Sequence, residues 1–337
     1  MARSLPIAIP ASDPKKARGK LTYRLRTDEY IPDGVRRIAR VQLELAQDEL
    51  SGAPKHKQLK AIHETRKRTK RLRAVVRLAR DAIGKDAYDR ENGSFRDTAR
   101  RLSAGRDAQV LLETLDALTE RFSDELPKDA PARLRDRLAA DRDSAAPSGG
   151  DDADVVAALE MLREGHARSA TWTFDDDGFD ALTPGLRRIY RRGRKRMREA
   201  AKDPSPENLH EWRKRVKDLW HATQLVRPAR PKRLKRMSKR AHALADLLGD
   251  GHDVDMLRDY VKAHPECFED KASRQALLKV ADRRAAALRD DALKLGRSLY
   301  KRSPKRFAKW IERGWRKRAV DSPRPRTLTA SSSASGS

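Results

Sequence analysis

Histidine, arginine and lysine recur at matched spacing in two places. His63, Arg66, Lys67 and Lys70 stand at i, i+3, i+4 and i+7, and His210, Arg213, Lys214 and Lys217 repeat the pattern. At about 100° per residue, each set shares one face of a helix. Such a face sets a titratable imidazole beside planar guanidinium forks and mobile ammonium charges, which suits holding phosphate oxygens. Like charges at i, i+4 cost an isolated helix a few tenths of a kcal/mol. Keeping type and order in two copies therefore points to a compensating anion.

Bond-making chemistry finds less support. His63-Glu64 and His210-Glu211 open like an H-E-x-x-H zinc helix, but Lys67 and Lys214 stand where the second histidine belongs. There is no G-x-S-x-G, Walker loop or dinucleotide fingerprint, and Cys267 has no recognisable partner. No catalytic residue, metal or cofactor is expected. Glu64 with Arg68, and Glu211 with Arg215, are read as i, i+4 ion pairs within their own helices.

The helices that must carry these faces have a clear apolar stripe. Ile62, Thr65, Thr69, Leu72, Val76 and Ala79 follow helical spacing, as do Leu209, Trp212, Val216, Leu219, Thr223 and Val226. The cationic stripe runs beside the apolar one, which places it in a groove between elements. Arg73 extends the first set.

The two segments, H-E-x-R-K-R-x-K-x-L, lie 147 residues apart and belong to a longer duplication. Val35 to Arg40 parallels Leu186 to Arg191, and Leu102 to Asp107 parallels Leu248 to Asp253, at offsets of 151 and 146. This is a doubled domain half, with a pseudo-two-fold arrangement as the geometric expectation. It adds Arg36, Arg40, Arg187 and Arg191 as neighbouring cations. Gly105-Arg106-Asp107 and Gly251-His252-Asp253 read as turns in which glycine ends one helix and aspartate caps the next, with Arg106 and His252 as further groove candidates.

Alanine, leucine, arginine and lysine dominate, aromatics make up 5%, and alternating runs are lacking, so an all-α chain is predicted. The expected organisation is a basic arm at 1–26, a first helical lobe at 27–145, a linker and connecting helix at 146–182, a second lobe at 183–318, and a disordered Ser-rich tail at 319–337. The first lobe is expected to hold helices at 32–50, 55–84, 94–104 and 107–126, with an extra one at 127–143. The second is expected at 184–202, 206–227, 231–249 and 253–264, with helical pattern again at 271–301 and 304–318.

Seventy-seven lysines and arginines against 50 acids give a formal charge of +27. Such a field attracts polyanions and says little about fold. One cysteine excludes an internal disulfide. Neither an apolar run of about 18 residues nor a secretory h-region of about 7–15 is found, so a cytoplasmic location without membrane contact is expected.

With these motifs laid out, the chain resembles the CHAD (conserved histidine α-helical domain) family over roughly residues 20–318. His63/Arg66/Lys70/Leu72 and His210/Arg213/Lys214/Lys217/Leu219 match its histidine-led pattern, and Leu248-Gly249 with Asp253 and Leu257 match its glycine–aspartate segment. Departures are Lys67, where an apolar residue is frequent, and Trp220-His221, where an arginine–tyrosine pair is frequent. The triphosphate-tunnel domain often fused to the family is not recognised. The resemblance implies two pseudo-two-fold-related four-helix bundles with a basic channel between them. It implies binding of inorganic polyphosphate without catalysis, with targeting to polyphosphate granules as a further implication. Two other readings stand beside it: a nucleic-acid-binding basic protein, and a structural protein of polyhydroxyalkanoate granules.

Overall fold

A computed structural model describes residues 23–102, 107–127, 131–144 and 152–320. Among them the chain is all-α, with eleven helices and no strand. The helices are α1 (Ile31–Ser51), α2 (Gln58–Ile83), α3 (Lys85–Arg101), α4 (Asp107–Arg121), α5 (Ala132–Ser144) and α6 (Asp152–Ala170). There follow α7 (Thr183–Lys202), α8 (Pro206–Leu225), α9 (Pro231–Ala263), α10 (Lys271–Leu299) and α11 (Pro304–Val320). Proline in the first turn opens α1, α7, α8 and α9, where its missing N–H costs nothing.

Neighbours repeat with the sequence. α1 packs on α2 and α2 on α3; α7 packs on α8 and α8 on α9. α6 closes against α1, and α11 against α7. The copies meet where α2 touches both α7 and α8. Gly185 is essential to that approach, since a Cβ there would collide with the carbonyl oxygen of Leu78.

Buried side chains form two clusters, and each draws on both halves of the sequence. The larger runs through α1, α2, α3, α6, α7, α8, the start of α9 and α11, with Leu43, Leu72, Phe95, Leu162, Tyr190, Trp212, Leu219 and Ile311 at its centre. The smaller joins α4 and α5 to the end of α9 and the start of α10, through Leu115, Leu134, Leu138, Leu257 and Leu288. The expected connecting helix, α6, buries Ala158 and Leu162 in the larger core. The described end of the arm is also built in: Tyr23 and Leu25 are buried, and the Leu25 amide donates to the Leu225 carbonyl at 3.0 Å. The rest of the arm, Gly105-Arg106, the linker at 145–151 and the tail from 321 lie outside the described residues.

α4 ends at Arg121 rather than 126, α5 begins at Ala132 rather than 127, and two further boundaries differ more from the sequence reading. α3 begins at Lys85 rather than 94, because Gly84 turns the chain at φ +81°, so one residue suffices between helices. Its inward face, Tyr88, Glu91, Phe95 and Thr98, has the right spacing but includes a buried glutamate, which hid the apolar pattern. Arg168 and Arg90 hold the Glu91 carboxylate at 3.0 and 3.1 Å. The second difference is that α9 runs unbroken through Gly249, Gly251, His252 and Asp253, where a turn was expected. Gly249 is there for close packing: an added Cβ would lie 2.6 Å from Nη2 of Arg213.

Candidate functional site

α2 and α8 carry the two histidine-led motifs and pack side by side, and α9 lies against α8. This seam brings six of the expected residues into electrostatic reach: Lys70 from α2, His210, Arg213, Lys214 and Lys217 from α8, and His252 from α9. Arg213 lies against Gly249 and donates from Nε to the Ala245 carbonyl at 3.3 Å. The rings of His210 and His252 are 4.9 Å apart.

Electrostatics at the seam record crowded positive charge. Lys217 is pushed down to about 8, first by burial, then by Arg213 and by Lys70 from the other copy. His210 is held below its ordinary value by burial, then by Lys214, His252 and Arg213. Both shifts say that a proton on these groups is costly in the empty groove, and that an added anion would recover the cost. The cations do have a limited counter-charge. Asp246 and Asp253 on α9 favour the charged form of Lys217, while burial and its acidic neighbour Asp253 raise Asp250. These carboxylates bound the seam on its α9 side.

Other expected residues are placed differently. Lys67 and Lys214 are half-exposed and bonded to Glu64 and Glu211 at 2.7 and 2.6 Å. Those glutamates therefore pair at i, i+3, and the expected i, i+4 pairs do not form. Arg68 instead turns into the core, 3% exposed, to Glu49 at 2.5 Å, and Arg215 binds Asp218 at 2.9 Å. The guanidinium lies over the apolar stripe in both cases, so a core carboxylate reaches it first. His63 and Arg66 sit half-buried on the same face of α2 as Lys70. Arg73 donates to Asn92 at 3.2 Å and is pushed down to about 10 by burial, then by Arg77.

Of the helix-one arginines, Arg36 is bonded away from this group. Arg36 points to the end of α6, donating twice to the Trp172 carbonyl, at 3.0 and 2.6 Å, and stacking over Phe174 at 5.2 Å. Arg40, Arg187 and Arg191 are exposed. On α7, Arg188 pairs with Asp81 and donates to the Arg77 carbonyl at 2.9 Å, and Arg192, itself exposed, is depressed by partial burial, then by Arg215. Both flanks of the α7 apolar stripe are arginine, so the pattern could not choose between them. Arg106 falls outside the described residues.

Sequence reasoning also missed a second group behind the first. Arg77 and Arg215 share the carboxylate of Asp218 at 2.8 and 2.9 Å, with Arg73 and Arg192 close by. A signal existed for Arg77, since His63, Arg66, Lys70, Arg73 and Arg77 each follow an apolar-stripe residue. None existed for Asp218 beyond its departure from Arg71, its repeat equivalent. Arg71 is depressed by burial and lies 5.5 Å from the Tyr23 ring. His221, within the field of Arg71, Lys217, Arg77 and Lys70, is pushed down to about 3, mainly by burial.

Among the described residues no group of three or more His, Cys, Asp or Glu side chains could hold a metal. No helix among them is long and apolar enough to cross a membrane. The family model of the CHAD domain matches residues 37–262, more than half of the chain. No curated protein matches it.

Proposed function

Since the chain belongs to the CHAD domain family, we propose that it binds inorganic polyphosphate along the α2–α8 seam and performs no chemical step on it. The CHAD domain is linked to polyphosphate-related proteins. The observation that carries the reading is Lys217: a cation from each copy, Lys70 and Arg213, presses on a half-buried ammonium at the junction of the repeats. Polyphosphate has about one charge per phosphate and no bases, so a row of cations is sufficient to recognise it. Arg213, fixed against Gly249, offers its guanidinium fork, while Lys70 and Lys217 act as point charges. His63, Arg66, His210 and His252 complete the row. Granule association would follow from the same contact.

Nucleic acid is the rival the net charge allows. The aromatic side chains near the seam speak against base stacking. Trp212 is fully buried, and Trp220 stacks with His221 and His242, at 4.7 and 4.2 Å. For coating a polyhydroxyalkanoate granule, an apolar outer face would be needed. Leu59 and Val156 are the exposed large hydrophobics among the described residues, and they lie on different helices.

The test is titration with polyphosphates of graded length, at several salt concentrations, for wild type and Lys70→Ala/Lys217→Ala. Loss of two charge-assisted contacts is expected to weaken binding by about 10- to 100-fold. Unchanged affinity would remove the seam as the site. Long polyphosphate should also displace duplex DNA at equal phosphate concentration; the reverse order would favour the rival.

A further inference from the structure

The outward face of α7 carries further cations. Arg191, Arg194, Lys195, Arg198 and Lys202 line a cleft of about 400 Å³ together with Pro304, the first residue of α11. Arg191, Lys195, Arg198 and Lys202 are exposed. Glu199 is the one carboxylate of the lining, and it is shared with Lys195 at 3.7 Å and Arg196 at 2.9 Å. Arg302 stands at the same corner, over Trp310 at 4.9 Å, with its amide bonded to the Tyr190 hydroxyl at 3.2 Å. Arg188 and Arg192 lie on the adjoining strip of α7, toward α2 and α8.

From this concave, under-neutralised surface we infer that the α7–α11 corner is a second binding site for condensed phosphate chains, outboard of the seam. The inference rests on the seam reading only for the identity of the polymer. Arginines at 191, 194 and 198 recur about once per helical turn, so successive guanidinium forks can grip an extended chain from one side. A chain held at both places gains by raised local concentration, which a short oligomer cannot do.

The test compares tripolyphosphate with long-chain polyphosphate. Arg194→Gln/Arg198→Gln is expected to lower long-chain affinity about tenfold and to make the salt dependence of log K shallower by roughly 1.5–2. It should leave tripolyphosphate binding at the seam and ligand-free melting unchanged. Lys235→Gln/Lys239→Gln removes equal charge from the exposed face of α9 and should change long-chain affinity less than about twofold. Equal effects of the two pairs, or no effect of the α7 pair, would overturn the inference. So would duplex DNA competing as well per phosphate, since the cleft would then be a general polyanion surface. If Lys70→Ala/Lys217→Ala left binding intact while the α7 pair weakened it, the seam reading would fail and the cleft would stand.

Discussion

The two copies of the motif are nearly identical in sequence and unlike in surroundings. In α8, Arg213 lies against a glycine and is bonded to a carbonyl, and Lys217 is half-buried among like charges. In α2, Lys70 is exposed, and Arg68 has left the surface for Glu49 and Gln42. The sharpest contrast is one turn further on, where Arg71 in the first copy becomes Asp218 in the second. Asp218 neutralises Arg77 and Arg215 behind the seam. Duplication thus supplied two matched rows of cations, and single departures from symmetry give them different partners.

Breaking that asymmetry should have the largest effect at Asp218. Asp218→Asn leaves two half-buried guanidinium groups short of their buried counter-charge, and a loss of about 3 kcal/mol in chemical denaturation is expected. Added polyphosphate should recover part of it. Arg71→Gln, its repeat counterpart, should cost clearly less. A comparable loss in both would mean that the two positions do the same work.

At Gly249 stability and binding should part. Gly249→Ala gains up to about 1 kcal/mol of helix propensity. The new methyl displaces the Arg213 guanidinium from its bed. Polyphosphate affinity should fall about threefold with melting unchanged or raised, and a fall in both would point to a packing role instead.

Smaller effects are read through pH. His221, at about 3 when folded against an ordinary 6.5, is neutral in the native state where the unfolded chain takes up a proton. Its contribution to stability is therefore full above about pH 6.5 and declines below it, by up to roughly 1.4 kcal/mol per pH unit. His221→Gln should flatten that part of the stability profile. For Lys217, at about 8, deprotonation removes a ligand-facing charge, so affinity should weaken as pH rises from 7 to 9. Lys217→Arg, which stays charged, should keep its affinity across that range. A parallel decline in both proteins would move the effect to another group.

Much of this was legible in the chain. The apolar stripes of α2 and α8, with periods set by the helix itself, placed the core side and the cationic side, and the duplication located both motifs. What periodicity could not do was rank two flanks of equal charge. On α7 the pattern points to Arg187 and Arg191, whereas Arg188 donates to the Arg77 carbonyl and Arg192 lies in the field of Arg215. Glycine was ambiguous for a similar reason. Gly84 does end a helix, by adopting positive φ, whereas Gly249 sits within one and makes room for Arg213.

By itself, then, the sequence determined an all-α chain, its duplication, and two cationic faces beside two apolar ones, because these follow from local geometry and residue type. Only the tertiary structure decided which cations are spent on Glu49, Glu64, Asp218 or the Trp172 carbonyl. That outcome depends on carboxylates and carbonyls brought close from distant parts of the chain, and electrostatic partnership over a few ångströms leaves no periodic trace in the order of residues.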